Sequence, residues 1–136
     1  MTDAQQRGAA KQFVKNWAGH GDEKQETQRF WIDLLQNVFG VEQATNAIEF
    51  ELRVKLDHTS FIDGYIKNTH VLIEQKGIDI DLRKGYKQSD GSMLTPFQQA
   101  RRYAGYLPHN MNSRWIVVCL LMKISSSLAS PRRSLT

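Results

Sequence analysis

From the N-terminus, apolar residues first recur at helical spacing. In "AAKQFVKNWAGHG", Ala10, Phe13, Val14 and Trp17 fall on one face before glycines stop the run. "DEKQETQRFWIDLLQNVFG" repeats the pattern. Phe30, Trp31, Leu34, Leu35 and Val38 form its apolar stripe, Gly40 ends it, and Asp22 with Gln25 makes a capping pair at its start. The period then changes. In "AIEFELRVKL", Ile48, Phe50, Leu52, Val54 and Leu56 alternate with Glu49, Glu51, Arg53 and Lys55, which predicts a half-exposed strand. After a turn at "DHTS", "FIDGYIKNTHVLIEQKG" reads as two apolar strands around a polar turn at residues 67–70. "IDIDLRKGYKQSDGSML" starts as an alternating strand with Asp79 and Asp81 on its wet side, then becomes a polar loop. "TPFQQARRYAGYLP" predicts a helix with Thr95 as cap, Pro96 in the first turn and Gln98 completing the capping box. "SRWIVVCLLM" predicts a buried strand, and the Ser-rich "SSSLASPRRSLT" a disordered end. The order α, α, β, β, β, loop, α, β predicts an α/β fold, a mixed sheet flanked by helices, over residues 1–120, with a tail at 121–136.

The two apolar strands carry charges that apolar strands usually lack. With the turn at residues 67–70, symmetric pairing sets Asp63 opposite Glu74. Lys76 lies two residues past Glu74, so it shares that face, as do Phe61 and Tyr65. Ile62, Gly64, Val71 and Ile73 take the other face. Opposed carboxylates repel, and a divalent cation between them reverses the sign. Hard oxygen ligands with open water positions suit Mg²⁺. Such an ion activates water and offsets charge on a leaving oxygen, while an ammonium beside it positions that water, so the set suits phosphodiester hydrolysis. The competing reading is a cross-strand Asp63–Lys76 salt bridge with Glu74 at a solvated edge.

Composition sets the outer bounds. The chain has 136 residues, 40% hydrophobic and 24% charged, as expected for one globular core. It shows no apolar run long enough for a bilayer and no signal-peptide core. Cys119 is the only cysteine, which excludes an intramolecular disulfide and fits a reducing cytoplasm. The net charge of +4 owes much to Lys123, Arg132 and Arg133; without them 15 basic residues face 14 acidic ones. A DNA-binding surface must therefore be a local patch rather than a global field. The basic loop of Arg83, Lys84 and Lys87 around Tyr86 is one candidate, and Arg101 with Arg102 is another. His20, His58, His70 and His109 have no metal spacing and read as surface or turn residues.

The hairpin segment resembles the catalytic hairpin of the PD-(D/E)xK nuclease superfamily, with Ile62 where that motif has proline. More closely, "RFWIDLLQNVFG", "SFIDGYI", "LIEQKG" and "PFQQARRYAGYLP" together resemble the N-terminal nuclease domain of MmeI-like (type IIL, within type IIG) restriction–modification enzymes, from about Phe13 to Cys119. The resemblance implies a restriction-endonuclease-like core and Mg²⁺-dependent cleavage of double-stranded DNA, with Mn²⁺ as a substitute. Asp63, Glu74 and Lys76 would be the catalytic set, and the Gln75 carbonyl a further metal ligand. Superfamily members often add a glutamate from the first core helix. With Thr27 as the inward direction, Glu23 lies about forty degrees away and Glu26 about a hundred, which favours Glu23; an acid favoured by the helix dipole is the plainer account. Gln99 and Tyr103, four apart, resemble the auxiliary Gln–x–x–x–Tyr motif of RecB-like nucleases and would support the site. Phe97, Ala100 and Ala104 lie opposite them and can pack on the sheet.

In the family such a domain is linked to an adenine methyltransferase and a DNA-recognition domain. This chain has no Asn-Pro-Pro-aromatic motif and no glycine-rich S-adenosylmethionine loop, so it is expected neither to methylate DNA nor to read a long site alone. Cutting both strands takes two such sites, which makes a homodimer an expected assembly. "LLMKISSSLASPRRSLT" departs from the family and reads as a replaced or frame-shifted end. Two rival functions stand beside endonuclease: a non-catalytic DNA-binding or assembly remnant of the same fold, and a RecB-like repair nuclease domain.

Overall fold

The computed structural model describes residues 1–20, 23–55, 59–77, 79–111 and 115–120, with the side chains of 23–25, 109, 119 and 120 outside that description. Calls on Asp22, Leu56, His58, Ile78 and the 121–136 tail thus lie outside the described residues.

Helix α1 (Asp3–Trp17) starts well before its apolar stripe. Thr2 accepts from Gln5 N at 3.1 Å while Gln5 Oε1 accepts from Thr2 N at 2.8 Å, a reciprocal cap that extends the helix into polar sequence. Helix α2 (Glu23–Asp33) runs on into a π-turn, Leu34–Val38, in which Phe39 N donates to Leu34 O at 3.1 Å. The wider turn keeps Leu35 and Val38 buried while Phe39 points to solvent. A short helix α3 (Ala44–Ala47) delivers the chain to strand β1 (Ile48–Lys55). Strands β2 (Thr59–Ile66) and β3 (Val71–Lys76) form the expected hairpin, and β6 (Trp115–Leu120) closes a four-stranded sheet of order β1-β2-β3-β6. β1, β2 and β3 pair antiparallel in sequence, whereas β6 runs parallel to β3. Helix α4 (Pro96–Ala104) connects them, with the predicted Thr95 cap, Pro96 and Gln98 in place.

The sheet carries helices on both faces, as the sequence order implies. On one side Phe13, Trp17, Phe30, Trp31, Leu35 and Val38 pack on Ile48 and Ile73. On the other, Ala100 of α4 packs on Val54, Ile62, Tyr65 and Leu72. No helix among the described residues is long and apolar enough to cross a membrane.

Three expectations need correction. β1 does not keep one apolar face: Ile48 and Phe50 join the first core, Leu52 and Val54 the second. The switch is at Glu51, whose φ of +53° breaks the pleat. Its partner strand changes phase at the same place. Ladder pairs run on both sides of Glu51 and Asp63 and skip that pair, and Ile62 lands on the Tyr65 face instead of with Gly64 and Ile73. The segment around Asp79 and Asp81 is turn rather than strand. Asp81 Oδ1 accepts from Arg83 N at 2.9 Å, a local bond that competes with extended pairing. The loop instead holds a two-strand ribbon, β4 (Tyr86–Lys87) with β5 (Met93–Leu94). Finally, β6 is an edge strand among the described residues, and Trp115 is 68% exposed rather than buried.

Candidate active site

The β2–β3 register gives the expected alignment. Ile66↔Val71, Tyr65↔Leu72 and Gly64↔Ile73 are paired, and the next step places Asp63 opposite Glu74. The ladder stops there. Gln75 N instead donates to Asp63 Oδ2 at 2.7 Å, so a side chain takes over from backbone pairing. The phase change at Glu51 and Asp63 makes this reach natural. Through that contact the Asp63 carboxylate reaches across to β3.

β3 is buried along nearly its whole length, and alternation sorts its side chains between the layers. Gln75 faces α2, where its Oε1 accepts from Trp31 Nε1 at 2.9 Å. Glu74 and Lys76 face α4. Glu74 is only 3% exposed, and Lys76 Nζ lies 2.9 Å from its Oε1. A buried carboxylate is costly unless paired, so this contact balances a charge that an isolated strand position would reject. Lys76 Nζ also donates to Gln99 Oε1 at 3.1 Å, and Gln99 Nε2 donates to Tyr103 OH at 2.9 Å. The helix spacing that set Gln99 and Tyr103 on one face therefore delivers a continuous chain, Glu74–Lys76–Gln99–Tyr103.

The ammonium of Lys76 sits on Glu74, its neighbour on the same strand, and Glu74 is buried rather than at a solvated edge. Of the opposite α4 face, Ala100 and Ala104 pack on the sheet, while Phe97 remains 48% exposed beyond the sheet's reach.

Glu23 opens α2, and its side chain lies outside the described residues. Thr27, taken as the inward direction, is buried. Glu26 is bonded to His20 Nδ1 at 2.5 Å. His70 sits in the β2–β3 turn against Tyr65 OH at 2.9 Å.

The basic candidates divide. Arg102 Nη1 is engaged with Asp90 Oδ2 at 2.9 Å, tying the β4–β5 turn to α4. Asp90 is held down to about 2 from 3.8, chiefly by hydrogen bonds from the Ser92 hydroxyl and backbone; desolvation opposes them, and Arg102 adds smaller lowering contributions. Lys84 Nζ sits 5.6 Å from the Tyr86 ring centre. Lys87 and Arg101 are exposed, and Arg83 caps its loop through its backbone. Sequence reading missed the Trp31–Gln75 bond, since Trp31 looked like one more member of an apolar stripe. It also missed the Asp90 latch, although "SDGS" is a turn signature.

Among the described residues no group of three or more His, Cys, Asp or Glu side chains is placed to hold a metal. The donor set that could do so is smaller: Asp63, Glu74 and the Gln75 carbonyl, all oxygen, completed by water. That is the hard, carboxylate-poor set Mg²⁺ accepts.

No curated protein and no solved structure matches the chain at a significant level. A family profile does: that of "MmeI, N-terminal domain" matches residues 8–119, which include every candidate site residue named above. The chain therefore belongs to the MmeI N-terminal domain family.

Proposed function

We propose that this chain is a metal-dependent DNA endonuclease domain of the PD-(D/E)xK type, belonging to a fused restriction–modification enzyme. The family supports a restriction-enzyme domain. The single observation that carries the chemistry is Asp63 Oδ2 held at 2.7 Å by the amide of Gln75, the residue after Glu74, with Lys76 Nζ 2.9 Å from Glu74.

Bound Mg²⁺ would supply a water of lowered pKa and neutralise charge on the phosphate. Asp63 and Glu74 hold the cation, aided by the Gln75 carbonyl. Lys76, steered by Gln99, keeps its ammonium at the mouth of the site, where it orients the attacking water and offsets negative charge gathering on the phosphoryl oxygens. The ammonium, a donor only, sets the Gln99 oxygen toward itself, and Tyr103 OH accepts from the amide nitrogen left on the other side. Glu23 supplies a further carboxylate from α2. Linked methyltransferase and recognition domains, and a second copy for the second strand, complete the partners this reading requires.

The test is plasmid cleavage with Mg²⁺ or Mn²⁺. Wild type nicks or linearises the plasmid, and Asp63→Asn, Glu74→Gln and Lys76→Ala each lower the rate on the order of a hundredfold or more. Activity that survives Asp63→Asn and Lys76→Ala refutes the assignment. Cleavage confined to DNA ends indicates the RecB-like exonuclease instead.

A further inference from the structure

Beside the Lys76–Gln99 contact lies a cleft of about 230 Å³ that extends from the catalytic set toward the β4–β5 ribbon. Lys76, Gln99, Tyr86 and Lys87 line it together with the apolar Ile80 and Leu94. Its volume falls below the roughly 300–1,000 Å³ of pockets that enclose a drug-sized molecule, so its occupant is a smaller unit.

Its charge is one-signed. Among the described residues no acidic side chain lines it. Lys76 is already set against Glu74, which leaves Lys87, exposed and in no ion pair among the described residues, as the cation facing the cleft. Lys84 Nζ lies 5.6 Å from the centre of the Tyr86 ring. That ring is held at its tip, where its hydroxyl accepts from Asp81 N at 2.9 Å, and the Tyr86 main-chain carbonyl accepts from Gln88 Nε2 at 2.8 Å. A narrow cleft with apolar lining residues, an aromatic ring held at its tip and one uncommitted ammonium suits an anion carried on a compact apolar body.

The cleft is also tied mechanically to the catalytic residues. Asp90–Arg102 anchors the β4–β5 turn on α4, one turn of which holds Gln99 against Lys76. We propose that the cleft is the subsite for the sugar–phosphate unit next to the bond being cut, with Lys87 on its phosphate and Tyr86 against its sugar. This assignment rests on the nuclease reading, and it adds what that reading lacks, a means of fixing the strand beside the scissile bond.

The test is fluorescence anisotropy of a labelled DNA duplex with Ca²⁺ in place of Mg²⁺, over about 50–200 mM salt. Lys87→Ala should weaken binding about threefold or more and flatten the log–log salt slope by about 0.9, the value of one phosphate contact. Lys87→Arg should restore the slope. Tyr86→Ala should weaken binding about fivefold with the slope unchanged, because packing of the ring on the sugar involves no charge. Lys11→Ala, an exposed cation on α1, is the charge control, and matched melting curves verify folding. Lys87→Ala indistinguishable from Lys11→Ala overturns the subsite. So does Lys87-dependent binding of inorganic phosphate in a protein with no salt-dependent binding of the duplex, which makes the cleft a small-anion site. Mn²⁺ calorimetry on Asp63→Asn reads the catalytic assignment separately. Metal binding lost there with Lys87 silent leaves the nuclease and removes the subsite; the reverse pattern keeps the DNA contact and removes the catalysis.

Discussion

Replacing Lys76 by Met tests the electrostatic centre of the site without any substrate. The change keeps an unbranched side chain of similar length and deletes the ammonium. At 2.9 Å, with an effective dielectric near 20, the attraction to Glu74 is about 6 kcal/mol before desolvation. Net effects of breaking buried pairs are smaller, about 3–5 kcal/mol, because each ion has already given up solvation. Lys76 keeps 19% of its side-chain surface and Glu74 only 4%, so water screens one partner and hardly the other. The expected loss is therefore about 2–3 kcal/mol, or roughly 6–10 °C in Tm for a domain of this size. Urea unfolding followed by circular dichroism measures it, as a cycle with Glu74→Gln. Glu74→Gln removes the charge that needs the ammonium, so the double variant should be more stable than the sum of the single losses by about 2 kcal/mol. Single losses that simply add, within about 0.5 kcal/mol, would falsify the account of Glu74 as a buried charge held in place by Lys76.

Three further outcomes follow from the same geometry. Trp31→Phe removes the donor to the fully buried Gln75 Oε1 and should cost about 1–3 kcal/mol in urea unfolding, with part recovered in Trp31→Phe/Gln75→Leu. Thr95→Ala removes the cap of α4 and should cost about 1 kcal/mol; because α4 carries Gln99, cleavage should slow as well. Asp90 has a folded pKa of about 2 against 3.8, so its stabilising contribution is present above the unfolded value and is lost as pH falls through the folded one. The Tm difference between wild type and Asp90→Asn should accordingly hold at pH 5–7 and shrink between about pH 4 and pH 2; a constant difference across that window refutes the latch.

The sequence determined much of this protein by itself, wherever one short-range rule governs the outcome. Apolar residues at helical spacing placed α1 and α2, and Thr95, Pro96 and Gln98 placed the start of α4 to the residue, because a cap is satisfied within one turn. The register of β2 on β3, Gly64 to Ile66 against Val71 to Ile73, followed from turn length alone, since an antiparallel hairpin is symmetric about its turn. Gln99 and Tyr103 shared a face by spacing. What only the tertiary structure decided involves two segments meeting. Alternation assigned Ile48, Phe50, Leu52 and Val54 to one face, but two helical layers compete for the sheet, and a left-handed Glu51 divides the four between them. The same break turns Asp63 toward the Gln75 amide, a contact that no period along one strand encodes. Trp31 on Gln75, Lys76 on Gln99 and Arg102 on Asp90 join residues far apart in the chain, and their partners were fixed by layer packing. Local rules are written in consecutive residues, whereas burial of a charge such as Glu74 depends on which helix covers it, and that is settled only when the sheet and its helices come together.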